Sequence, residues 1–516
     1  MHQPPARGLS CVYCLHLAAM KADHEPQPDE RTNGSLAPVR AAPARRSLRP
    51  MWFALAIAAV AILAGGAQGA PQAERRPPFE VLWNSPFQAC HSCTDPAAQL
   101  SPATAAKYSI TANEKMAFVG SQIALLYSLT SSFPTLRGDY GGGIPCWAAD
   151  AAADNCTFTP FTNISVVRNG GVPQVADVEA AASACAKALA AAVPDTNFSG
   201  LLILDFEGWR PVAADNDVVL RTEGAGAGFT LSLYTQYSRQ LVQQQHPGWD
   251  AGRVTDTARQ QFDAAAQAMF TAAVEACKLT RPHARVGYYG FPGMISPVDT
   301  HPPSFAGSEL LWLWRQLDVL TPSDYLWSPQ FDGKQVERAQ VNVAMSLHLA
   351  QLVLNATGRR PAVYPYIWIW PRPVDVNNTG AGGARADGLA ASVTVPAVMG
   401  ADGVILWGSS SGIDSPAVAA RCALCANIQG YLTSVAGPVM AECVSEREAC
   451  GTSVCSGHGR CASTLDTADA LGGCKKWRGV SACLCTEGWA GVDCATPTNT
   501  SRPTAPTAVG SIYGVG

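Results

Sequence analysis

The amino-acid sequence predicts an α/β fold: a TIM-like (β/α) barrel of seven or eight strands, followed by a small disulfide-rich module. Two observations predict the barrel. Short apolar runs alternate with Ala-rich helical stretches between residues 78 and 440, and a chain of 516 residues that is 47% hydrophobic can fill a core of that size. The module is predicted by eight cysteines concentrated in residues 443–494.

Seven apolar runs are the candidate barrel strands, at residues 79–84, 122–128, 201–207, 285–291, 324–328, 363–370 and 403–409. Between them, apolar side chains recur at helical three- and four-residue steps, at residues 178–193, 258–279 and 336–355. The carboxyl ends of barrel strands meet at one mouth, where active sites lie. Polar or aromatic residues stand near these ends, namely Asn84, Glu207, Tyr289, Tyr325, Trp368 and Trp407. Any single aromatic is equally at home in a strand core, but the set indicates a sugar-binding cleft.

The amino-terminal segment predicts export. Residues 1–50 are basic and rich in Pro and Ala, and we expect a disordered leader. Residues 51–69 contain an apolar core of about 16 residues, shorter than the ~20 of a membrane-spanning helix, and small residues follow near Ala70. This pattern predicts a cleaved signal peptide. An uncleaved signal anchor is one alternative, and Met51 as the true first residue is another.

Charge and motifs exclude several classes of function. The formal net charge is −4, which provides no basic surface for nucleic acid, so no nucleic-acid partner is expected. The sequence contains no phosphate-binding loop and no His-Glu-x-x-His motif. We therefore expect no cofactor and no metal, and a membrane contact only if the apolar segment is retained.

Cysteine and sequon usage predicts an oxidising compartment. Of the 18 cysteines, only Cys11 and Cys14 precede the apolar segment. Six Asn-x-Ser/Thr sequons follow it, at Asn155, Asn163, Asn197, Asn355, Asn377 and Asn499. We expect a secreted, extracellular glycoprotein, with a lysosome-like lumen or a signal-anchored form as the alternatives.

The stretch GLLILDFEGWRP, residues 200–211, ends an apolar strand with two acids. Side chains alternate along a strand, so Asp205 and Glu207 point the same way, about 6–7 Å apart. Two carboxylates so close beside an apolar wall cannot both ionise freely, and one is expected to keep its proton towards neutral pH. That combination is typical of glycoside hydrolysis. The alternative, that both acids are solvated in a loop or cap the next helix, stays open here.

The carboxyl-terminal cysteines resemble an epidermal-growth-factor-like (EGF-like) module. The stretch from Cys450 contains CSGHGRC and then CLCTEGWAGVDC, with a Cys-x-Cys, a Gly-Trp and a Gly before the last Cys in that module's pattern. The resemblance implies the bridges Cys450–Cys461, Cys455–Cys483 and Cys485–Cys494. Cys443 and Cys474 are left over and are candidates for a bridge within an insertion. Residues 495–516 are rich in Pro, Thr and Ala and are predicted to be a disordered tail.

Ordered blocks before the module resemble the hyaluronidase family of glycoside hydrolases. The signature Asp-Phe-Glu-x-Trp-Arg-Pro lies at 205–211, and the others are FEVLWNSP (79–86), NGGVPQ (169–174), GYYGFP (287–292), PSDY (322–325) and GVILWG (403–408). Animal members carry an EGF-like module as well. The resemblance spans roughly residues 79–494 and implies a (β/α)-barrel glycosidase.

The resemblance also implies roles for matching residues. Glu207 matches the proton donor. Asp205 matches the carboxylate that orients the substrate's N-acetyl group, whose oxygen is the nucleophile; this is an exception to the scheme with two catalytic carboxylates. Arg210 matches an arginine near the acid, either as a charge partner within the site or in a structural salt bridge.

The residues expected to line the pocket match those of the family only in part. Tyr289 and Tyr325 match tyrosines that hydrogen-bond the acetamido group, and Trp407 matches the tryptophan that floors the pocket. By contrast, Phe133 stands where an aromatic hydroxyl is common, and the cysteine pair that animal members carry after the block at 287–292 is missing.

Residues 137–156 look like an insertion, with Cys146 and Cys156 as a candidate bridge. Such loops contact substrate in the family, so they leave the natural polysaccharide open.

Two Cys-x-x-Cys pairs, CHSC (90–93) and CALC (422–425), have the spacing of a four-thiolate zinc site. In an exported chain, disulfides that join the first strand to the last helix are favoured instead. The resemblance implies Cys90–Cys425, and Cys93–Cys422 would be an additional bridge.

The sequence therefore predicts a secreted endo-β-N-acetylhexosaminidase acting on a polysaccharide, a hyaluronan- or chondroitin-like glycosaminoglycan. Two alternatives remain. One is a catalytically silent glycan-binding or adhesion protein, against which the intact set of acids and tyrosines argues. The other is a glycosidase of the same mechanism acting on another N-acetylated polymer, such as a chitin-like chain.

Overall fold

The structure is a computed structural model of the chain. It describes residues 78–127, 133–139, 163–217, 219–221, 228–230, 233–293, 308–325, 333–368, 384–408, 417–463, 473–475, 482–486 and 488–498. The predicted leader (1–50), the signal segment (51–69) and the candidate bridge Cys146–Cys156 lie outside these residues, as do the sequons at Asn155, Asn377 and Asn499.

The strands in this part of the chain are β1 (Glu80–Asn84), β2 (Ile110–Ala112), β3 (Ile123–Leu126), β4 (Thr135–Asp139), β5 (Asn163–Arg168), β6 (Leu201–Leu204), β7 (Val219–Arg221), β8 (Gly228–Thr230), β9 (Arg285–Tyr288), β10 (Val319–Leu320), β11 (Ala362–Val363), β12 (Tyr366–Trp368), β13 (Gly403–Trp407), β14 (Gly459–Ala462), β15 (Ala482–Cys485), β16 (Trp489–Ala490) and β17 (Thr496–Pro497). The α-helices are α1 (Pro102–Ala106), α2 (Val178–Ala192), α3 (Leu233–Gln245), α4 (Ala251–Thr280), α5 (Leu311–Trp314), α6 (Gly333–Thr357), α7 (Ala384–Met399), α8 (Val418–Tyr431) and α9 (Gly437–Ser453). A π-helical turn, Leu432–Ala436, joins α8 to α9.

Parallel pairing builds the wall of the barrel. β1 lies between β2 and β13, and β12 pairs with the other edge of β13. β6 lies between β3 and β9, and β10 pairs with β11. Single parallel bridges, Tyr289 with Thr321 and Ser323 with Tyr366, continue the wall across β9, β10 and β12. The described ladders thus follow a parallel course from β2 round to β3.

The apolar run of β6 is buried on both faces. Leu201 and Ile203 pack in the barrel interior beside Ile405, whereas Leu202 and Leu204 pack outwards, in the layer that contains residues of α2 and α4. Alternation of side chains across a strand divides the run in this way, and an uninterrupted apolar run is the expected composition for a strand covered on both sides.

Most predicted barrel elements lie where the pattern placed them, and one strand does not. The predicted strand 324–328 is described only at Asp324 and Tyr325, which lie outside the ladder. The strand is β10, Val319–Leu320, followed by bridges at Thr321 and Ser323. Pro322 lies between those bridges and has no N–H to continue the ladder.

The carboxyl-terminal module is held by disulfides. β14 and β15 are antiparallel, and the bridges Cys450–Cys461, Cys455–Cys483 and Cys485–Cys494 are those that the resemblance implies. The two left-over cysteines also bond each other, as Cys443–Cys474.

Both predicted borders of the module fall within regular secondary structure. The predicted boundary at 440–443 falls inside α9, so a continuous helix leads from the barrel segment into the module. At the other end, Thr496 pairs with Ala490, so the predicted tail 495–516 begins with a short β-pairing. A turn through Gly491, at φ +101°, brings the chain back for this pairing.

A partly buried aspartate ties the module to the end of the barrel where β13 begins. Asp402 forms ion pairs with Arg360, at 2.9 Å, and with Arg460 on β14. The carboxylate also accepts the backbone N–H of Val363 at 2.8 Å. A backbone hydrogen bond from Ser463 to the carbonyl of α7 residue Val398 adds a second contact.

Within the described part of the chain, no helix combines the length and the hydropathy needed to cross a membrane.

Candidate active site

The two predicted catalytic acids follow β6 at its carboxyl end. The backbone N–H of Asp205 donates to the carbonyl of Leu126 at 3.0 Å, which extends the pairing of β6 with β3 by one residue. The Asp205 side chain is 4% exposed, whereas Glu207 is partly exposed. The alternative that both acids are solvated in a loop therefore does not hold for Asp205.

The residues between and after the acids anchor this strand end from behind. Phe206 and Trp209 are buried with their rings 5.1 Å apart, and the indole N–H of Trp209 donates to the carbonyl of Pro134 at 2.9 Å. Phe133 joins the same cluster, 4.6 Å from Phe206. The departure at Phe133 is thus explained by packing, because its ring fills the layer behind β6.

Electrostatics distinguish the two acids. Burial, and then the negative charge of Glu207, raise the pKa of Asp205 well above its usual range, while Arg210 acts in the opposite direction. The direction of this shift agrees with the expectation that one carboxyl of the pair keeps its proton. The opposing charge of Arg210 agrees with a charge partner within the site, the first of the two roles considered for that residue.

Tyrosine hydroxyls lie within electrostatic reach of these acids. Burial raises the pKa of Tyr127 well above its usual range, and the charges of Asp205 and Glu207 add to the effect. The pKa of Tyr289 is also raised well above its usual range, by burial and by the same two carboxylates. These hydroxyls therefore stay protonated and can donate hydrogen bonds.

The predicted pocket aromatics pack against one another. The Tyr325 ring stacks on Trp368, with centroids 4.8 Å apart and an interplanar angle of 16°. It lies 5.7 Å from Trp407 and 6.1 Å from Tyr289. The structure thus brings the three predicted pocket residues together, although they come from three different barrel segments.

Three further residues complete this cluster. The Trp407 indole N–H donates to the hydroxyl of Tyr127 at 3.1 Å, and the hydroxyl of Tyr366 donates to Asn84 Oδ1 at 3.1 Å. Burial, then the neighbouring Tyr127, and then the charge of Asp205 raise the pKa of Tyr366 well above its usual range. Sequence reasoning missed Tyr127 and Tyr366 as site residues. Tyr127 could have been found, because it follows β3 as Asp205 follows the paired strand β6.

A second buried aspartate lies next to the pocket. Asp324 is 1% exposed, and its backbone N–H donates to the carbonyl of Tyr366 at 2.8 Å. Burial raises its pKa to about 6, against the charge of Arg338 and a hydrogen bond from Asn342. The Arg338 guanidinium also donates to the carbonyl of Tyr325, so it holds the backbone that carries a pocket tyrosine.

The four cysteines with zinc-like spacing form disulfides. Cys90 bonds Cys425 and Cys93 bonds Cys422, the pairing favoured by the exported context. Among the described residues, no group of three or more His, Cys, Asp or Glu side chains is arranged to hold a metal ion.

Comparison with known proteins is decisive for the family. A family model described as "Hyaluronidase" matches residues 156–471. The chain belongs to the hyaluronidase family. A hyaluronidase of Apis mellifera is 29% identical over 388 residues, covering 74% of this chain and 88% of the relative. Hyaluronidase-1 of Sus scrofa is 32% identical over 326 residues, covering 61% and 69%.

A solved member of the hyaluronidase family has the same fold. The crystal structure of bee venom hyaluronidase in complex with a hyaluronic acid tetramer matches with a TM-score of 0.55 at 28% identity. The match covers 70% of this chain and 98% of that one. The protein is therefore a glycoside hydrolase of this family with a TIM-like barrel, and its disulfide-rich carboxyl-terminal region is consistent with an EGF-like module.

Proposed function

We propose that this protein is a secreted endo-β-N-acetylhexosaminidase that hydrolyses a hyaluronan- or chondroitin-like glycosaminoglycan. The observation that carries the proposal is the carboxylate pair after β6. One acid is buried and the other accessible, and both lie within electrostatic reach of protonated tyrosines. The family, and a relative captured with a hyaluronic acid tetramer, support the choice of polymer.

Glu207 is assigned the acid and base steps. Its partly exposed carboxyl can reach a glycosidic oxygen in the cleft, which Asp205 cannot do from its buried position. Glu207 protonates the leaving oxygen while the substrate's acetamido oxygen attacks the anomeric carbon, giving a cyclic oxazolinium ion. Glu207 then removes a proton from water, which opens that ion from the opposite face, so the configuration is retained overall.

Asp205 is assigned to the acetamido N–H. In the free site burial and the charge of Glu207 hold a proton on Asp205. A substrate N–H that donates to Asp205 favours its ionised form. The Asp205 charge then stabilises the cationic oxazolinium. Tyr289 and Tyr325 are assigned as donors to the acetamido group, and Trp407, fixed by its hydrogen bond to Tyr127, as the pocket floor.

A matched substrate panel tests the proposal. Hyaluronan, chondroitin and chitin oligomers of equal length are incubated with the secreted protein, each beside a chemically N-deacetylated copy. We expect cleavage of hyaluronan or chondroitin and none of the deacetylated copies, because the nucleophile is removed with the acetyl group. NMR of the first-formed anomer should show retention. Cleavage of chitin oligomers alone would establish the other N-acetylated substrate, and binding without cleavage of any polymer would establish the silent glycan-binding alternative.

Export is part of the proposal. Disulfides join the segment that follows β1 to helix α8, and others lie within the module. These bonds support an oxidising compartment. Asn197 and Asn355 are exposed and so can accept glycans; the backbone of Asn163 lies in β5. N-terminal sequencing of secreted material should find a start near Ala70. A start at Met1 or Met51 would instead support the signal-anchored form.

A further inference from the structure

Two cysteines of the described chain face each other without a bond. Cys185 on α2 and Cys277 on α4 have their sulfur atoms 3.7 Å apart, and their side chains are 2% and 0% exposed. The two helices pack in one apolar layer on the outside of the barrel. Every other cysteine among the described residues belongs to a disulfide.

We infer that Cys185 and Cys277 form a further disulfide in the mature protein, linking α2 to α4. A disulfide bond is about 2.05 Å long, so the sulfurs need to approach by roughly 1.7 Å. Rotation about the side-chain χ1 angles supplies a movement of this size at a helix–helix contact. The inference rests on the proposed export, because an oxidising compartment is required.

Other roles for this pair fit the structure less well. A metal site needs more ligands, and no group of three candidate ligands occurs among the described residues. A catalytic or sensor thiol needs access to solvent, which burial of both side chains denies. The neighbouring Tyr288 is buried too, and its hydroxyl donates to the carbonyl of Phe270 at 3.3 Å, so it does not act as a base for either thiol.

The oxidation proceeds by thiol–disulfide exchange with a disulfide oxidant, such as a protein disulfide oxidoreductase or glutathione disulfide. The Cys185 thiolate attacks the oxidant's disulfide and releases one oxidant thiolate. The Cys277 thiolate then attacks the mixed disulfide at the Cys185 sulfur and releases the second. The two leaving thiolates take up the two cysteine protons, so two thiols and one disulfide give one disulfide and two thiols.

Because both sulfurs are enclosed once α2 and α4 have packed, the exchange takes place during folding. The bond is therefore a structural link, formed once, and solvent does not reach it afterwards.

The link would enclose the catalytic strand. The two cysteines are 92 positions apart, and the loop between them contains β6 with Asp205 and Glu207. Helix α2 leads into β6, and α4 leads into β9, after which Tyr289 follows. The disulfide would thus join the two helices whose strands carry the acids and a pocket tyrosine.

Peptide mapping tests the inference. The full chain is expressed through a secretory pathway, denatured without reductant, alkylated with N-ethylmaleimide and digested. We expect one cross-linked peptide pair containing Cys185 and Cys277, with no alkyl label on either. The six disulfides described above serve as internal reference. The inference is overturned if those six are found and both cysteines carry the label.

A thermal double-mutant cycle gives a second measurement. If the bond exists, Cys185→Ala and Cys277→Ala should each lower the melting temperature nearly as much as the double variant does. The pair Cys443→Ala and Cys474→Ala is the matched control. Additive losses at 185 and 277, beside non-additive losses in the control, would contradict the inference. The Glu207→Gln variant should keep the cross-linked peptide, so failure of the catalytic proposal would be seen separately.

Discussion

Two aspartates at opposite ends of the barrel, Asp205 buried and Asp402 partly buried, have pKa values shifted in opposite directions. Asp402 precedes β13, and although burial opposes it, Arg360 and Arg460 hold its pKa below the usual range. Asp205 follows β6, and burial with the nearby charge of Glu207 raises its pKa well above the usual range. Asp402 forms two ion pairs and accepts a hydrogen bond from a backbone N–H, so its negative charge is compensated within the fold.

The difference distinguishes a structural site from the proposed catalytic site. Compensation at Asp402 is complete before any ligand arrives, and it holds the module on the barrel. At Asp205 the charge of Arg210 does not offset burial and the charge of Glu207, so its pKa stays raised; under the proposed function, a substrate N–H or a developing cation would favour its ionised form. Barrels commonly have their catalytic residues at the carboxyl ends of the strands and residues that matter for stability at the other end. Asp205, after β6, and Asp402, before β13, are placed in agreement with that division.

The largest expected effect is at Glu207. Glu207→Gln keeps the size of the side chain but removes the transferable proton, so kcat on the best polymer should fall by about 10⁴, the upper end for general acid–base catalysis. Thermal unfolding should stay close to wild type, which serves as the folding control. Retention of more than about a tenth of the activity would show that the pair acts in binding or packing.

Asp402→Asn should have the opposite effect to Glu207→Gln: it should lower the stability of the fold and leave the activity unchanged. The change leaves Arg360 and Arg460 partly buried without their counter-charge, a loss of roughly 3–5 kcal/mol in the free energy of unfolding for a broken buried pair. Activity at low temperature should remain. Glu442→Gln, which disrupts the more exposed contact with Lys475, is the control and should cost about 1 kcal/mol or less. Equal stability of the two variants would refute the contrast drawn above.

Asp205→Asn sharpens the comparison from the catalytic side. Asparagine can still accept the acetamido N–H but lacks the charge that stabilises the cationic intermediate, so kcat should fall by about 10²–10³. The free energy of unfolding should be unchanged or higher, since a poorly solvated carboxyl is removed. A loss of stability like that of Asp402→Asn would mean that Asp205 is also a structural ion.

The smallest effect is a pH dependence at Asp324. Its pKa of about 6 in the folded protein exceeds the unfolded value near 4, so its contribution to stability is present below about pH 4 and is lost as pH rises through 6, by up to about 3 kcal/mol. Asp402 has the opposite sign, because its lowered pKa gives a contribution lost as pH falls below about 4. Denaturant unfolding from pH 4 to 7 should show a smaller decline in Asp324→Asn than in wild type, because Asp205, whose pKa is also raised, contributes to the decline in both; parallel curves would contradict the assignment.

Local sequence patterns were enough to predict most of the fold and the two acids. The boundaries of α2 and the start of β6 were predicted because amphipathic spacing and apolar runs depend on neighbouring residues. β6 ends at Leu204, three residues before the predicted end at Glu207. The α4 helix begins earlier than predicted, since Asp250 caps it through a hydrogen bond to the N–H of Arg253. The acid pair could be recognised in the sequence because only Phe206 separates Asp205 from Glu207.

Contacts between distant segments could not be found in this way. Tyr127 meets Trp407 across 280 positions, and Arg460 meets Asp402 across 58. Neither pair leaves a periodic or motif signal, since tertiary packing brings the partners together, within the barrel for Tyr127 and Trp407 and between module and barrel for Arg460 and Asp402. Cys185 and Cys277 escaped for the same reason, because cysteine counts indicate a compartment but not which helices will pack.

The pairs Cys90–Cys425 and Cys93–Cys422 have a topological consequence. They join segments 335 and 329 positions apart, beside the seam where β1 meets β13. A single protease cut anywhere between residues 93 and 422 would therefore leave both fragments in one covalent molecule. If the enzyme is exported as proposed, a cut by an extracellular protease in a surface loop would give a two-chain form whose fragments separate only after a reductant has opened both bonds.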